Sequence, residues 1–181
     1  MAAVIAIGAA PAFAACGDDD GDGGDGNATF EREGFPFTFE YPDSFELREN
    51  VTVGQTLGGE SDEVDDRVAL ALDDDNLIAV ERVALEVVVD ESNLDQAKQE
   101  LDQLFQQVDP SAESQPGEIA GLRSLSLDAI AVPTPEDGES RFTVLFEGDQ
   151  QYVIACQSTP AGRPEIEAAC DLALETLTVT N

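Results

Sequence analysis

The sequence predicts an α+β fold, an antiparallel β-sheet covered by helices, on three observations. Phe35, Phe37, Phe39 and Tyr41 alternate with Pro36, Thr38 and Glu40, and Phe142, Val144 and Phe146 repeat the pattern, which marks strands with one face in a core. Leu94, Leu101, Leu104, Phe105 and Val108 recur instead at helical spacing. The order along the chain is strands, helix, strands, helix, and neighbouring strands with segregated helices favour an antiparallel sheet.

The N-terminus carries processing signals rather than fold. Residues 1–15 (MAAVIAIGAAPAFAA) are uncharged and mostly small or apolar, shorter than the roughly 20 residues of a membrane-spanning helix, and read as the hydrophobic part of a signal peptide. The positively charged start usual for such a peptide is missing, so the expectation is a start codon placed late or a truncated N-terminus. Phe13-Ala14-Ala15-Cys16 resembles a bacterial lipobox, in which Cys16 is diacylated and becomes the mature N-terminus. Ala12-Phe13-Ala14 also satisfies the small-x-small pattern of ordinary secretion. Gly17 and a polar run directly after Cys16 favour the lipobox, and two acyl chains anchor stably at about 0.8 kcal/mol per buried CH₂.

Residues 16–29 comprise the lipidated Cys and a flexible tether, since GDDDGDGGDGNAT offers nothing to pack and its aspartates repel one another. Asp18, Asp20, Asp22 and Gly23 fall at positions 1, 3, 5 and 6 of a calcium-binding EF-hand loop. Position 12 is Thr29 instead of a bidentate Glu and no helix flanks the segment, so a solvated tether is the preferred reading.

The globular domain is assigned to residues 30–181. Its aromatic strand ends at the turn Pro42-Asp43-Ser44, and residues 50–66 form an acidic, Gly-bearing loop. A strand over 67–72, the turn Asp73-Asp74-Asp75-Asn76 and a β-rich run over 77–89 follow. Ser92 is expected as an N-cap, with Asp95 three residues on, opening a helix that ends near Pro110. A loop over 111–117 leads to a strand over 122–132, and Pro133-Thr134-Pro135-Glu136-Asp137-Gly138 turns the chain again. Gly148-Asp149 joins the Phe142 strand to the Tyr152 strand as a hairpin. The last helix is expected to begin with Pro164 at its first position, with Glu165 and Glu167 favoured by the helix dipole.

Three cysteines are present. With Cys16 lipidated, Cys156 and Cys170 are left as a pair in an oxidising compartment. Cys156 shares a strand face with Tyr152 and Ile154, and Cys170 lies on the helical stripe of Ile166, Ala173 and Leu177, so both point to one strand-helix contact. The alternatives are a disulfide, closing a loop of about 15 residues worth on the order of 3 kcal/mol, and two buried free thiols.

The segment Gly34-Phe35-Pro36-Phe37-Thr38-Phe39-Glu40-Tyr41-Pro42-Asp43-Ser44-Phe45 resembles the aromatic strand of the PsbP-like fold family, which includes an extrinsic photosystem II subunit, a Ran-binding protein and many bacterial lipoproteins. The mid-chain helix, Glu118-Ile119-Ala120-Gly121-Leu122, the Tyr152 hairpin and the C-terminal Leu174-Glu175-Thr176-Leu177 extend the resemblance over nearly all of residues 30–180, with Phe45 where the family often has Trp. The resemblance implies a twisted antiparallel sheet sandwiched by helices (an α-β-α sandwich) and a role in binding other proteins rather than catalysis. The family's partners differ so widely that neither a photosystem nor Ran transfers to this chain.

Charge narrows the function further. Lys and Arg total 8 against 39 Asp and Glu, a formal charge of −31. A nucleic-acid partner is thereby excluded, because phosphate binding needs clustered Lys and Arg. The absence of His removes Ser-His-Asp, Cys-His and HExxH chemistry. Two Tyr and no Trp leave little for stacking a sugar, which disfavours a carboxylate-dependent glycosidase. Gly54, Gly58 and Gly59 precede no Gly-Lys-Ser/Thr and make no phosphate loop. The acids at 60–66 and at 73–75 would lie roughly 20 Å apart along an extended strand and cannot share one ion. A Ser-Lys dyad would require Lys98, expected to be exposed on its helix beside no evident Ser.

Self-repulsion of this size also suggests a salt-rich setting. The sequence therefore points to a membrane-anchored, extracytoplasmic lipoprotein with a non-catalytic protein-binding or accessory domain, without cofactor, metal or catalytic residues. A calcium-binding accessory protein is the alternative, and a carboxylate-dependent hydrolase a more distant one.

Overall fold

A computed structural model describes residues 26–49, 66–132 and 135–180. The chain runs through β1 (Asn27–Phe30), β2 (Phe37–Pro42), β3 (Glu46–Glu49), β4 (Asp66–Ala71), β5 (Leu77–Ala84), α1 (Leu94–Phe105), β6 (Gln115–Ile119), β7 (Leu122–Ala131), β8 (Glu139–Glu147), β9 (Gln150–Ser158), α2 (Arg163–Thr176) and β10 (Thr178–Val179). Seven strands pair antiparallel in the order β3-β4-β5-β9-β8-β7-β6, and β1-β2-β10 form a smaller sheet. This is the α+β class expected from the sequence.

The central strands of the large sheet are buried on both faces, and its edge strands β3 and β6 are mostly exposed. Val68, Leu70, Ile78, Val80, Ile154 and Cys156 turn one way and join Phe30, Phe37, Phe39 and the α2 residues Ile166, Ala169, Cys170 and Ala173. Ala69, Ala71, Leu77, Ala79, Val153 and Ala155 turn the other way and join Phe105 of α1 with Phe142, Val144 and Phe146. Period-two alternation therefore separates two cores, while Val68–Ala71, Leu77–Val80 and Tyr152–Cys156 read as unbroken apolar runs because neither face of these central stretches meets water. Burying each large side chain contributes about 1.5–3 kcal/mol relative to exposure.

Connectivity places the helices on opposite faces. The segment after β5 must reach β6 at the far edge of the sheet, so α1 crosses one face and sets Phe105 against Phe142, with ring centroids 4.8 Å apart. The segment after β9 carries α2 over the other face and delivers β10 to β2, where the Thr38 and Thr178 hydroxyls meet at 3.0 Å. Phe30 stacks on Phe39 at 4.6 Å within the small sheet, and Phe37 meets Tyr152 of the large sheet edge-on at 5.4 Å, which fastens the two sheets together.

Several expected boundaries move. Residues 27–29, assigned above to the tether, belong to β1 and pair with β2. The stretch expected as a loop before Gly117 contains β6, an edge strand with Pro116 and Gly117 in it, joined to β7 by a tight turn with Ala120 and Gly121 at positive φ. An edge position tolerates Pro because one side of the strand has no partner. The run expected to stay β-rich to 89 leaves the sheet after Ala84, because its partner β9 begins at Gln150 and offers nothing further to pair with.

Ser92 does not cap α1. Its hydroxyl and amide both donate to the Asp90 carboxylate, Asn93 takes the cap position, and the helix starts at Leu94. Helix α2 begins at Arg163, one residue before Pro164. The acidic segment 50–65 and everything before residue 26 lie outside the described residues.

Candidate functional site

Helix α1 is only half seated. Phe105 is 1% exposed, whereas Leu94, Ala97, Leu101 and Leu104 on the same stripe are only partly covered, and Val108 beyond the helix end is 47% exposed. The reason lies in the segment between β5 and α1. After the Leu85 amide donates to the Asp149 carbonyl at 2.8 Å, the chain lifts away from the sheet instead of continuing it. Asn93 then fixes the lifted segment, its amide group donating to the Val88 carbonyl at 2.8 Å and its side-chain oxygen accepting from the Asp90 amide at 2.7 Å. Val87 and Val88 are left 65% and 51% exposed.

A groove of about 570 Å³ opens between this segment and α1, floored by Phe146 and walled by Leu85, Val87, Val89, Leu101 and Leu104. Glu86, Gln96, Glu100 and Gln151 line its polar edge. Its size is in the usual range for a binding site, and its apolar lining with few polar groups is the usual composition.

The carboxylates at the edge are uncompensated. All eight Lys and Arg of the chain fall within the described residues, and Arg32, Arg48, Arg67, Lys98, Arg123, Arg141 and Arg163 are each engaged by carboxylates elsewhere. The eighth, Arg82, donates to the Gly34 carbonyl at 3.3 Å. Gln96 donates to Glu100 at 2.9 Å, but among the described residues neither Glu86 nor Glu100 forms an ion pair.

The far side of α1 holds a buried polar cluster. Asp102 accepts from the Ser114 amide and hydroxyl at 2.7 and 2.6 Å with one oxygen, and from Lys98 Nζ at 2.6 Å with the other. Burial pushes the Asp102 carboxyl up, and the hydrogen bonds from Lys98 and Ser114 outweigh it, so the group stays below its ordinary range. The hydrogen bond to Asp102 correspondingly raises Lys98. Two expectations for Lys98 change as a result. It is mostly covered, and Asp102 links it to a Ser. Ser114 is fully buried and Lys98 is held charged, so the line is a staple from α1 to the residue just ahead of β6 rather than a nucleophile with its base.

The cysteines fall as the strand and helix patterns place them. Cys156 of β9 and Cys170 of α2 are bonded, with Cα atoms 6.2 Å apart, which resolves the open choice in favour of the disulfide. Cys16 and the calcium-loop positions Asp18, Asp20, Asp22 and Gly23 lie outside the described residues, and Thr29, at position 12 of that match, lies in β1 and pairs with Glu40. In the Asp73 turn, the Asp73 carboxylate accepts from the amides of Asp75 and Asn76 and from the Asn76 side chain. Those bonds hold it below its ordinary range against the opposing effect of burial. Among the described residues no group of three or more acids or cysteines is placed to hold a metal, and no helix is long and apolar enough to cross a membrane.

Sequence reasoning missed the groove. Val87, Val88 and Val89 carry the same pattern as β5, and the signal that they leave the sheet is the position of the Gly148-Asp149 hairpin, which limits how far β9 extends.

Comparison with known proteins supports the fold assignment. No protein-family model matches the sequence, and no curated relative does. Among solved structures, cyanobacterial PsbP (CyanoP) of Synechocystis superposes with a TM-score of 0.57 at 12% identity, covering 91% of this chain and 98% of that one. A protein of Bacteroides thetaiotaomicron superposes with a TM-score of 0.53 at 11% identity over 87% of this chain, which spans 49% of that longer one. LpqN, involved in cell envelope biogenesis of Mycobacterium tuberculosis, gives 0.47 at 10% identity, with 88% of each chain covered, and adds nothing to the fold assignment. The domain has the PsbP-like fold, as the aromatic strand implied.

Proposed function

We propose that this chain is an extracytoplasmic lipoprotein, held at a membrane by acylated Cys16, whose PsbP-like domain is a non-catalytic module that binds a partner protein in the groove beside α1. The observation that carries the binding reading is the half-covered stripe of α1 facing an apolar groove whose wall includes Val87. Monomeric proteins rarely leave such a feature uncovered without a use for it.

The export reading draws support from the Cys156–Cys170 disulfide, because such bonds persist chiefly in oxidising compartments. The lipobox-like Phe13-Ala14-Ala15-Cys16 and the acidic segment after it support the anchor. The binding reading is tested by placing a photo-crosslinking residue at Val87 in living cells and, as a control, at Leu47, which is 48% exposed on the edge strand β3. An adduct of defined mass from position 87 and none from position 47 is expected. Equal labelling, or none at 87, would remove the groove from the account.

A further inference from the structure

We infer that the occupant of this groove is a cationic amphipathic segment of another protein, with apolar side chains seated on Phe146 and Leu101 and Lys or Arg residues meeting Glu86 and Glu100. The inference rests on the binding reading above and adds the chemistry of the partner.

Charge selects among the molecules that an apolar groove could take. A fatty acid or anionic phospholipid would bring a negative head group to an edge where Glu86 and Glu100 already lack any counter-cation among the described residues. A second copy of this chain brings a formal charge of −31 against its own like. The chain's own N-terminal residues 1–25 are apolar and then acidic, with no Lys or Arg among them. Seven of the eight bases are already engaged by carboxylates and the eighth faces Gly34, so no part of this chain offers a free cationic cluster. The positive charge must therefore come from a different protein.

The shape agrees. Helix α1 has 12 residues and is about 18 Å long at 1.5 Å per residue. A partner helix of three turns laid beside it would place an i, i+3, i+4, i+7 apolar face on the floor and its flanking cations at the two glutamates. Such pairing fixes the register of the partner and speeds its encounter with so acidic a surface.

The test uses the full-length chain in neutral detergent and three fluorescein-labelled peptides of about 14 residues, a length that spans the groove. One carries Leu on one helical face and Lys on the other, the second has Glu in place of Lys, and the third keeps the Lys residues with Ser in place of Leu. Binding is read by anisotropy in wild type, in Glu86→Lys/Glu100→Lys, in Val87→Asp, and in Glu167→Lys/Glu175→Lys, which makes the same change of net charge at exposed positions on α2.

The Leu-Lys peptide should bind, weaken roughly tenfold in the groove double variant and in Val87→Asp, change little in the α2 variant, and lose affinity as salt is added. Equal binding of the Lys-Ser peptide, or equal weakening by the α2 variant, would reduce the effect to bulk charge and overturn the inference. Preference for the Leu-Glu peptide, or for anionic vesicles added in competition, would overturn the partner's charge while leaving the groove as a binding site. Indifference of every ligand to Val87→Asp would remove both.

Discussion

The side-chain amide of Asn76 occupies the space that a methyl group on Gly162 would need. Asn76 closes the turn between β4 and β5 and is 5% exposed, and Gly162 caps the N-terminus of α2. The Asn76 side-chain oxygen accepts from the amide and hydroxyl of Thr159 at 2.8 and 3.0 Å, so the turn and the start of the helix are locked to each other through one residue. Gly162→Ala is expected to destabilise the domain by about 1–3 kcal/mol through overpacking. The urea midpoint measures it, and an unchanged midpoint would show that the turn yields freely.

The Cys156–Cys170 bridge joins the same helix to β9 inside the core. Its sequence separation of 14 implies that replacing both cysteines by Ala lowers stability by about 3 kcal/mol in the chain-entropy account. Thermal unfolding with and without reductant checks this, since the wild type should approach the double variant once reduced. A wild type indifferent to full reduction would contradict it.

These two features differ in how legible they were. The bridge could be anticipated because Cys156 and Cys170 each sit on an apolar face fixed by a simple period. The Asn76 lock joins residues whose turn chemistry is ordinary in isolation and whose contact depends on the path of the whole sheet. Strand β6 was hidden because Pro116 and Gly117 argue against a strand unless its place at the edge is known. Lys98, expected to be exposed beside no evident Ser, was misjudged for a related reason. A Lys98-Asp102 pair at i, i+4 reads as a solvent-facing helix pair, and only Ser114, brought alongside by the turn before β6, makes it a buried one.

Asp102 also gives a pH dependence with a definite sign. Its carboxyl is held below the ordinary value of about 3.9 that it regains on unfolding. The stability it contributes is therefore fully present above that value and is lost as pH falls through the lower folded one. Neutralising the many other acids works in the opposite direction by relieving repulsion, so the informative quantity is the difference between wild type and Asp102→Asn. That difference should be largest at pH 7 and shrink below about pH 4. A difference independent of pH would place the contribution of Asp102 elsewhere.

Net repulsion should dominate the response to salt. The ten ion-pair contacts among the described residues are weakened by screening, but 8 bases cannot offset 39 acids, and raising salt from 0.1 to 1 M shortens the screening length from about 10 to about 3 Å. The melting temperature is expected to rise over that range. A temperature that falls or stays level would mean that the pairs outweigh the repulsion.

Ala120 adopts a φ of 51° in the β6–β7 turn, ahead of Gly121 at 85°. A side chain in this left-handed region costs about 1 kcal/mol, so Ala120→Gly should raise the melting temperature by about 2–4 °C. A lowered melting temperature would show that backbone entropy in the unfolded chain outweighs the local strain.

Work outside the cytosol from a membrane is tested most directly at Cys16. Mass spectrometry of the N-terminal peptide isolated from the native membrane fraction should find a chain that begins at Cys16 and carries diacylglycerol on its sulfur. A peptide that still contains Met1 and a free Cys16 thiol, recovered from the cytosol, would contradict the account.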